Sequence, residues 1–200
     1  MKTVKVKASG CYDVKIGRGL LDTLGTELSA LASGSVLIVT DTNVAPLWLE
    51  RAKASLKAAG FSVYSAVLPA GEASKSLENY GKLLRLLADK HLTRTDTVVA
   101  LGGGVMGDLA GFAAATYLRG LRFVQVPTTL LSMVDSSVGG KTAVDLPEGK
   151  NLAGAFHQPA LVLCDIAALD TLPEETFREG CAEVIKTAIL FDRPLFDRLA

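Results

Sequence analysis

The chain has 200 residues, of which 49% are hydrophobic and 21% are charged, so it can bury a core and is not typical of a disordered protein. Lys and Arg together number 21, as do Asp and Glu, and the formal net charge is zero. This balance argues against a nucleic-acid binder or a protein of acidic membrane surfaces, because both need a basic excess.

The cysteines and the N-terminus indicate a reducing compartment. Cys11, Cys164 and Cys181 are odd in number and contain no C-x-x-C pair, which argues against a disulfide framework or a thiolate zinc site. The first ten residues lack the apolar region of a secretion signal, and no uncharged apolar run is long enough to cross a bilayer. We therefore expect a soluble, cytoplasmic protein with no membrane partner.

Strand and helix patterns alternate along most of the chain. Period-two alternation at 3–8 and 12–17 predicts a hairpin around Ser9-Gly10. Further strands are predicted at 35–41, 61–69, 96–104 and 122–129, and helices at 19–32, 44–59, 74–92 and 104–118. Ser76 or Ser74 is the candidate N-cap of the third of these helices. The alternation predicts an α/β fold: a Rossmann-like, mainly parallel sheet with flanking helices.

The last thirty residues change in character, because their pattern is almost wholly helical. Pro173, followed by two glutamates, is typical of a helix start. We therefore expect two parts, an α/β domain at 1–172 and, at 173–200, the truncated beginning of an α-helical domain.

Four loops follow predicted strands, after Val39, Leu68, Leu101 and Val126. Ligands of doubly wound sheets bind at the carboxyl ends of the strands, so these loops are expected to share one site.

The glycine-rich loop after Leu101 matches G-x-G-x-x-G at 102–107. Glycines there let backbone N–H groups approach an anion at a helix N-terminus. The alternative is that these glycines serve only to let the helix pack tightly against the strand. The acid expected about 20 residues further on in an ordinary Rossmann unit is missing. Asp108 instead follows the last glycine, where it can cap the helix or accept a hydroxyl. The loop predicts phosphate or dinucleotide binding in a different setting.

Two further polar stretches are ambiguous when each is taken alone. Glu72 and Lys75 could hold ribose hydroxyls and phosphate, or could belong to a solvated capping loop. The segment 126–145 is dense in polar residues without being a Walker loop, and a buried Asp135 near Lys141 would suit proton transfer or hydroxyl binding. The alternative is a loop held by side-chain-to-backbone hydrogen bonds.

Two histidines and one charged pair complete the candidates. His157 is expected to be structural, and His91 to be a partner of a helix C-terminus. Glu183 and Lys186 share one helix face, either as a surface ion pair or, given their apolar neighbours, on a buried helix.

Together, several stretches resemble the 3-dehydroquinate synthases of the shikimate pathway: LPAGEASKSLENY, ALGGGVMGDLAGFAAATYLRG, FVQVPTTLLSMVDSSVGGKTAVD, GKNLAGAFHQP and GCAEVIKTAIL. The resemblance covers nearly the whole chain. It implies a carbon-oxygen lyase of aromatic amino acid biosynthesis that converts 3-deoxy-D-arabino-heptulosonate 7-phosphate into 3-dehydroquinate and phosphate. It also implies transiently reduced NAD, a divalent metal (Zn or Co) and a homodimer.

The resemblance also implies residue roles, matched motif by motif. NAD would contact Asp41, Asn43, Gly71, Glu72, Lys75, Gly103, Gly104, Val105, Gly107, Asp108, Thr128, Thr129, Lys141, Lys150 and Thr171. The substrate would contact Asp135, Lys141, Lys150, Asn151 and Lys186. Arg119 would reach the substrate phosphate across the dimer interface, and Glu183 would be a metal ligand.

The chain departs from the family pattern in its metal ligands. The family's two other ligands are histidines of a C-terminal helical domain, and His91 and His157 lie outside the matching positions. We therefore expect a fragment that is inactive alone and binds NAD weakly or not at all. Ala70, where other members can carry an acid, leaves one ribose contact in doubt.

Other functions remain open from the sequence. One alternative is another sugar-phosphate cyclase, such as a 2-deoxy-scyllo-inosose or epi-valiolone synthase. A second is a metal-dependent polyol dehydrogenase. A third is a non-enzymatic dimerising or nucleotide-sensing module.

Overall fold

The computed structural model describes all residues from 1 to 200. Its strands are β1 Lys2–Lys7, β2 Cys11–Gly17, β3 Ser35–Asp41, β4 Ser62–Leu68, β5 Thr97–Gly102, β6 Arg122–Pro127, β7 Lys141–Leu146, β8 Gly149–Phe156 and β9 Leu161–Asp165. Its α-helices are α1 Leu24–Ser29, α2 Glu50–Ala58, α3 Leu77–Asp89, α4 Gly104–Thr116, α5 Glu174–Phe191 and α6 Arg193–Leu199. No helix is long and apolar enough to span a membrane.

Seven strands form one sheet in the order β1-β2-β9-β6-β5-β3-β4, and every neighbouring pair except β1–β2 is parallel. The mainly parallel sheet predicted from the sequence is confirmed. Five of its six parallel strands, β4-β3-β5-β6-β9, follow the 2-1-3-4-5 order of flavodoxin-like sheets rather than the 3-2-1-4-5-6 order. The strand order therefore reverses between β3 and β5.

The central strands β3, β5, β6 and β9 are buried on both faces of the sheet, which explains their continuous apolar runs. Along β3, Val36 and Ile38 pack into one core with helices α1 and α2. Leu37 and Val39 face the opposite core with α3 and α4. This alternation places a helical layer on each side of the sheet.

The predicted N-terminal hairpin and the predicted start of α3 are confirmed. Strands β1 and β2 pair antiparallel, with Val4 opposite Val14. The Ser76 side chain accepts a hydrogen bond from the Asn79 N–H and caps α3. Both features depend on local chemistry, so the sequence suffices to predict them.

The sequence pattern predicts none of β7, β8 and β9. Strands β7 and β8 form a separate antiparallel hairpin. Strand β9 has only five residues, all buried, and lies between β2 and β6. A short apolar run and a polar, glycine-containing hairpin both lack a distinctive period, and tertiary pairing makes them strands.

The C-terminal residues are helical, as predicted, but α5 is not buried. Only Gly180 and Ala188 of this helix are buried, whereas Ile185, Ile189 and Leu190 are exposed. Of the two alternatives for Glu183 and Lys186, the structure therefore shows the surface ion pair and not the buried helix, because the apolar side of α5 has no packing partner among these residues. The division at 172/173 remains a prediction.

Candidate functional site

A cleft lies where the strand order reverses, at the carboxyl ends of β3 and β5. Its volume is about 1000 Å³, at the upper end of the range for ligand pockets. The loops after β3, β4, β5 and β6 all contribute residues to its lining, so the four loops expected to share one site lie together. Of the residues matched to NAD contacts, the cleft is lined by Asp41, Asn43, Gly71, Glu72, Lys75, Gly103, Gly104, Val105, Asp108, Thr128, Thr129 and Thr171.

The β3 end of the cleft is held by local hydrogen bonds. The Asp41 carboxylate accepts hydrogen bonds from the backbone N–H groups of Asn43 and Val44, at 2.8 and 3.1 Å. The Ala70 N–H donates to Thr42 Oγ1 at 3.1 Å, which joins the loops after β3 and β4. These bonds preorganise one wall of the cleft.

The glycine-rich loop leaves the start of α4 open to a ligand. Gly103 is the extended residue before the helix, and no side chain caps its first turn. A Cβ at Gly104 would lie 3.0 Å from Ser136 Oγ, and one at Gly103 would lie 3.1 Å from Thr129 Cγ2. Glycine therefore keeps the approach to the helix N-terminus clear, as a pyrophosphate would require.

The Thr128 hydroxyl supports the same interpretation. It is buried in the cleft wall and has no hydrogen-bond partner within the protein. Ser136, which the resemblance did not assign, also lines the cleft with a buried hydroxyl that has no protein partner. Both hydroxyls are available to a polar ligand.

Gly107 lies outside the cleft, although it completes the glycine motif. A Cβ at this position would be 2.6 Å from Gln125 Oε1 on the neighbouring strand β6. Close packing of α4 against the sheet therefore accounts for this glycine.

The buried ammonium of Lys75 lines the cleft and contacts residues on other loops. Lys75 is 4% exposed, and its Nζ donates hydrogen bonds to Asp108 Oδ2 at 2.9 Å and to Asn151 Oδ1 at 2.5 Å. The carboxylates of Glu72 and Asp145 lie 3.7 and 3.8 Å from the same nitrogen. Three carboxylates and one carboxamide thus surround Lys75.

Burial and pairing oppose each other in this cluster. Burial disfavours the charged form of Lys75, but the hydrogen bond to Asp108 and the attraction of the nearby carboxylates outweigh it, so the pKa of Lys75 is raised. Burial also raises the pKa of Asp108, against the lowering effect of Lys75. The cluster therefore favours a protonated lysine beside a carboxyl that gains a proton more easily than usual.

A smaller pocket of about 420 Å³ adjoins the cleft and shares Asp108 and Ser136 with it. Lys141 and Asn151 line this pocket. Lys150 is exposed, and its Nζ lies 3.3 Å from Glu72 Oε1. Three of the residues matched to substrate contacts therefore lie in or beside the smaller pocket.

The other matched residues lie apart from the two pockets. Asp135 is exposed on a π-helical turn at 132–136, so the expected buried Asp135 is wrong. Glu183 and Lys186 form an ion pair on α5, which raises the pKa of Lys186 with a smaller contribution from Asp135. Arg119 is exposed beyond the C-terminal end of α4, about 20 Å of helix from the cleft.

The chain does not assemble a metal centre. No group of three or more His, Cys, Asp or Glu side chains is placed to hold a metal ion. Glu183 supplies a single carboxylate, whereas a zinc site needs three or four ligands. The His157 ring nitrogen Nε2 lies 2.8 Å from the Leu121 carbonyl oxygen, and its ring stacks on Phe123, as expected of a structural histidine.

Several residues of the site had no sequence signal. Asp145 contacts the Lys75 cluster only because β7 docks beside it. Thr176 and Glu179, in the first turns of α5, line the cleft from the other side. Only the folded arrangement places these residues at the site.

The family model described as "3-dehydroquinate synthase N-terminal" matches residues 65–179. A 3-dehydroquinate synthase of Desulforamulus reducens is 52% identical over 198 residues, which are 98% of this chain and 55% of that protein. One from Nitrobacter hamburgensis is 54% identical over 186 residues, covering 92% and 49%. The chain therefore spans about half the length of the relatives it matches.

Solved structures share the fold. A 2-deoxy-scyllo-inosose synthase complexed with carbaglucose-6-phosphate, NAD+ and Co2+ superposes with a TM-score of 0.87 at 27% identity, over 93% of this chain and 51% of that one. A 2-epi-5-epi-valiolone synthase from Streptomyces hygroscopicus with bound NAD+ and Zn2+ gives 0.86 at 34% identity, over 97% and 54%. A glycerol dehydrogenase from Schizosaccharomyces pombe, at 22% identity and a TM-score of 0.72 over 88% and 42%, shares the fold alone.

The family model covers more than half of the chain, and the glycine loop, the Lys75 cluster and the two pockets lie within or beside the matched residues. By its match to this family model, this chain belongs to the 3-dehydroquinate synthase family.

Proposed function

We propose that the chain forms the NAD-binding part of a 3-dehydroquinate synthase, a carbon-oxygen lyase that converts 3-deoxy-D-arabino-heptulosonate 7-phosphate into 3-dehydroquinate and phosphate. The single observation that carries the proposal is the cleft at the strand reversal, with its open helix N-terminus and buried Lys75. A cytoplasmic, homodimeric protein of the shikimate pathway is part of the same proposal.

The residues of the cleft fit NAD. The backbone amides at Gly103 and Gly104 would hold the pyrophosphate, and the free Thr128 hydroxyl would donate to it. Glu72, at the opposite wall, would accept from ribose hydroxyls. NAD held by these residues would supply hydride-transfer chemistry to the carbon of a substrate hydroxyl.

The Lys75 cluster would orient the reacting groups at the junction of the two pockets. Its ammonium is held by Asp108 and Asn151, and each of these partners also lines the smaller pocket. The smaller pocket presents the Lys141 ammonium and the Asn151 carboxamide, a combination that suits an anionic, hydroxyl-rich substrate. Asp108, with its raised pKa, would exchange hydrogen bonds with a substrate or ribose hydroxyl.

The residues of this chain do not fit a divalent metal as they fit NAD. The family resemblance implies a divalent cation, but these residues provide one candidate ligand, Glu183, whose carboxylate is paired with Lys186. They do not form a metal site by themselves. Residues 173–200 would begin a helical domain that adds to the NAD-binding part at 1–172.

The main alternative is that the protein is a different sugar-phosphate cyclase. The high structural similarity to a 2-deoxy-scyllo-inosose synthase favours it. The identity of 52–54% to 3-dehydroquinate synthases, compared with 27–34% to the two cyclases, favours the first proposal.

The test is a product assay with the protein translated from the complete reading frame that encodes this chain. The protein receives NAD, Zn2+ or Co2+, and one of three substrates: the heptulosonate phosphate, glucose 6-phosphate or glycerol. Formation of 3-dehydroquinate with phosphate release supports the proposal. Turnover of glucose 6-phosphate alone would establish the cyclase, and net NADH from glycerol would establish a polyol dehydrogenase. The 200 residues alone are expected to release no phosphate, because they lack a complete metal site.

A further inference from the structure

We propose that Asp145 is a positioning residue of this site: its carboxylate holds Asn151 in the conformation that allows Asn151 and Lys75 to act together where the two pockets meet. The inference rests on the NAD site proposed above. Asp145 itself lines neither of these two pockets, so its role would be exerted through Asn151.

Asn151 has an unusual backbone that needs support. Its φ of 59° lies in the left-handed region, which is uncommon outside glycine, although asparagine adopts it more readily than most side chains. Its backbone N–H donates to Asp145 Oδ1 at 2.8 Å. In this conformation the Asn151 side-chain oxygen accepts the hydrogen bond from Lys75 Nζ at 2.5 Å. The Asp145 carboxylate therefore stabilises the backbone conformation from which Asn151 reaches Lys75.

Asp145 is placed by two other contacts. Its backbone N–H donates to the Lys75 carbonyl oxygen at 2.8 Å, and it pairs with Ser76 as an isolated parallel bridge. The pairing of β7 with β8 is irregular between Val144 and Leu146, and such an irregularity redirects a side chain. The hairpin therefore docks on the segment that carries Lys75, and Asp145 is the residue at the docking point.

The geometry separates two possible effects of Asp145. Its Oδ1 accepts from the Asn151 N–H, whereas its distance of 3.8 Å to Lys75 Nζ is too long for a hydrogen bond. Asp108 and Asn151 bond Lys75 directly. The hydrogen bond to Asn151, more than the charge, is expected to matter.

The variants Asp145→Ala and Asp145→Asn test this distinction, because an asparagine keeps an oxygen that can accept from the Asn151 N–H. Glu148→Ala is the matched control, an exposed carboxylate in the same hairpin without an ion pair. Two quantities are measured: hydrogen exchange of the Asn151 amide in the 200-residue chain, and NAD affinity of the protein from the complete reading frame.

For Asp145→Ala we expect Asn151 exchange to be about tenfold faster and NAD affinity to fall about five- to tenfold, the usual effect of losing one such hydrogen bond. Asp145→Asn is expected to stay within about twofold of the parent in both quantities. Glu148→Ala is expected to change neither. Equal losses in the alanine and asparagine variants, or a loss of thermal stability alone, would overturn the proposal.

Asn151→Gly provides a second test, which separates the effect of Asp145 on Asn151 from any other effect of Asp145→Ala. Glycine adopts the left-handed conformation freely but lacks the oxygen that binds Lys75. If Asp145 acts through Asn151, adding Asp145→Ala to Asn151→Gly lowers NAD affinity no further, whereas an additional loss would contradict the proposal. If the parent protein does not bind NAD, the proposed function fails, and Asn151 exchange still decides whether Asp145 holds Asn151.

Discussion

Lys75 carries much of the electrostatics of the site, because its buried ammonium faces three carboxylates. Removing one partner of a buried ion pair leaves the other charge uncompensated, which costs more than the pair itself contributes. Asp108 would be that stranded partner, since its side chain is only 20% exposed.

We predict that Lys75→Met lowers the free energy of unfolding by about 2–4 kcal/mol. Lys82→Met is the control, because Lys82 forms an exposed pair with Glu78 on α3, and its loss should cost less than about 0.5 kcal/mol. Urea unfolding of both variants measures the difference. Equal stabilities for the two variants would show that the Lys75 cluster does not contribute to stability.

The same lysine makes a prediction about alkaline pH. Its pKa in the folded chain is raised above the ordinary value of 10.5, so folding favours the protonated form. The stability that this provides is fully present below pH 10.5 and is lost as the pH rises through the higher folded value. The difference in the free energy of unfolding between the parent and Lys75→Met should therefore be constant near neutral pH. It should narrow as the pH rises from 10.5 through the pKa of Lys75 in the folded chain.

At this scale the sequence predicts residues whose role is local. Ser76 is recognisable as a cap from its position before a helical pattern, and the structure confirms it. The sequence did not predict Asp145 as a residue of the site, because Asp145 contacts Lys75 and Asn151 only after the β7–β8 hairpin docks. Asp135 was misjudged because polar density in a sequence does not determine which side chains become buried.

At the scale of elements, the glycines of α4 let this helix pack closely against its neighbours. A Cβ at Gly111 would lie 2.4 Å from Thr142 Cγ2 and about as close to the Phe123 ring as any side chain can approach, at 3.0 Å. Gly81, in the middle of α3, has open space around its Cβ position. The two glycines therefore occupy similar helical positions with opposite packing.

We predict opposite effects for alanine at these two positions. Gly81→Ala should stabilise the chain by about 0.5–1 kcal/mol, since it reduces the backbone freedom of the unfolded state. Gly111→Ala should destabilise it by about 1–3 kcal/mol through overpacking against β6 and β7. Thermal or urea unfolding gives both values, and effects of the same sign would contradict this account of α4.

The sequence did not predict strands that are very short or that are largely exposed. Strands β3 and β5 are flanked by recognisable turns and lie between strong helical patterns, so their existence follows from the sequence. Strand β9 is a five-residue buried run that is a strand because β2 and β6 pair with it. The β7–β8 hairpin exposes much of β8, so hydrophobic periodicity does not reveal it.

For the whole molecule, the location of the site was more predictable than the order of its strands. Four loops after strands must share one edge of a parallel sheet, whichever way the strands are ordered. Only the structure shows that the order reverses between β3 and β5, which separates their following loops and opens the cleft. The glycine motif alone would have suggested a different sheet.

The most direct test is a titration of the ¹⁵N-labelled chain with NAD, followed by backbone amide chemical shifts. The account predicts weak binding, in the millimolar range, with the largest shifts at 41–43, 71–75, 103–108 and 128–129. Weak binding is expected because these residues form only part of the family's full-length proteins. Shifts centred on another surface would contradict the assignment of this cleft.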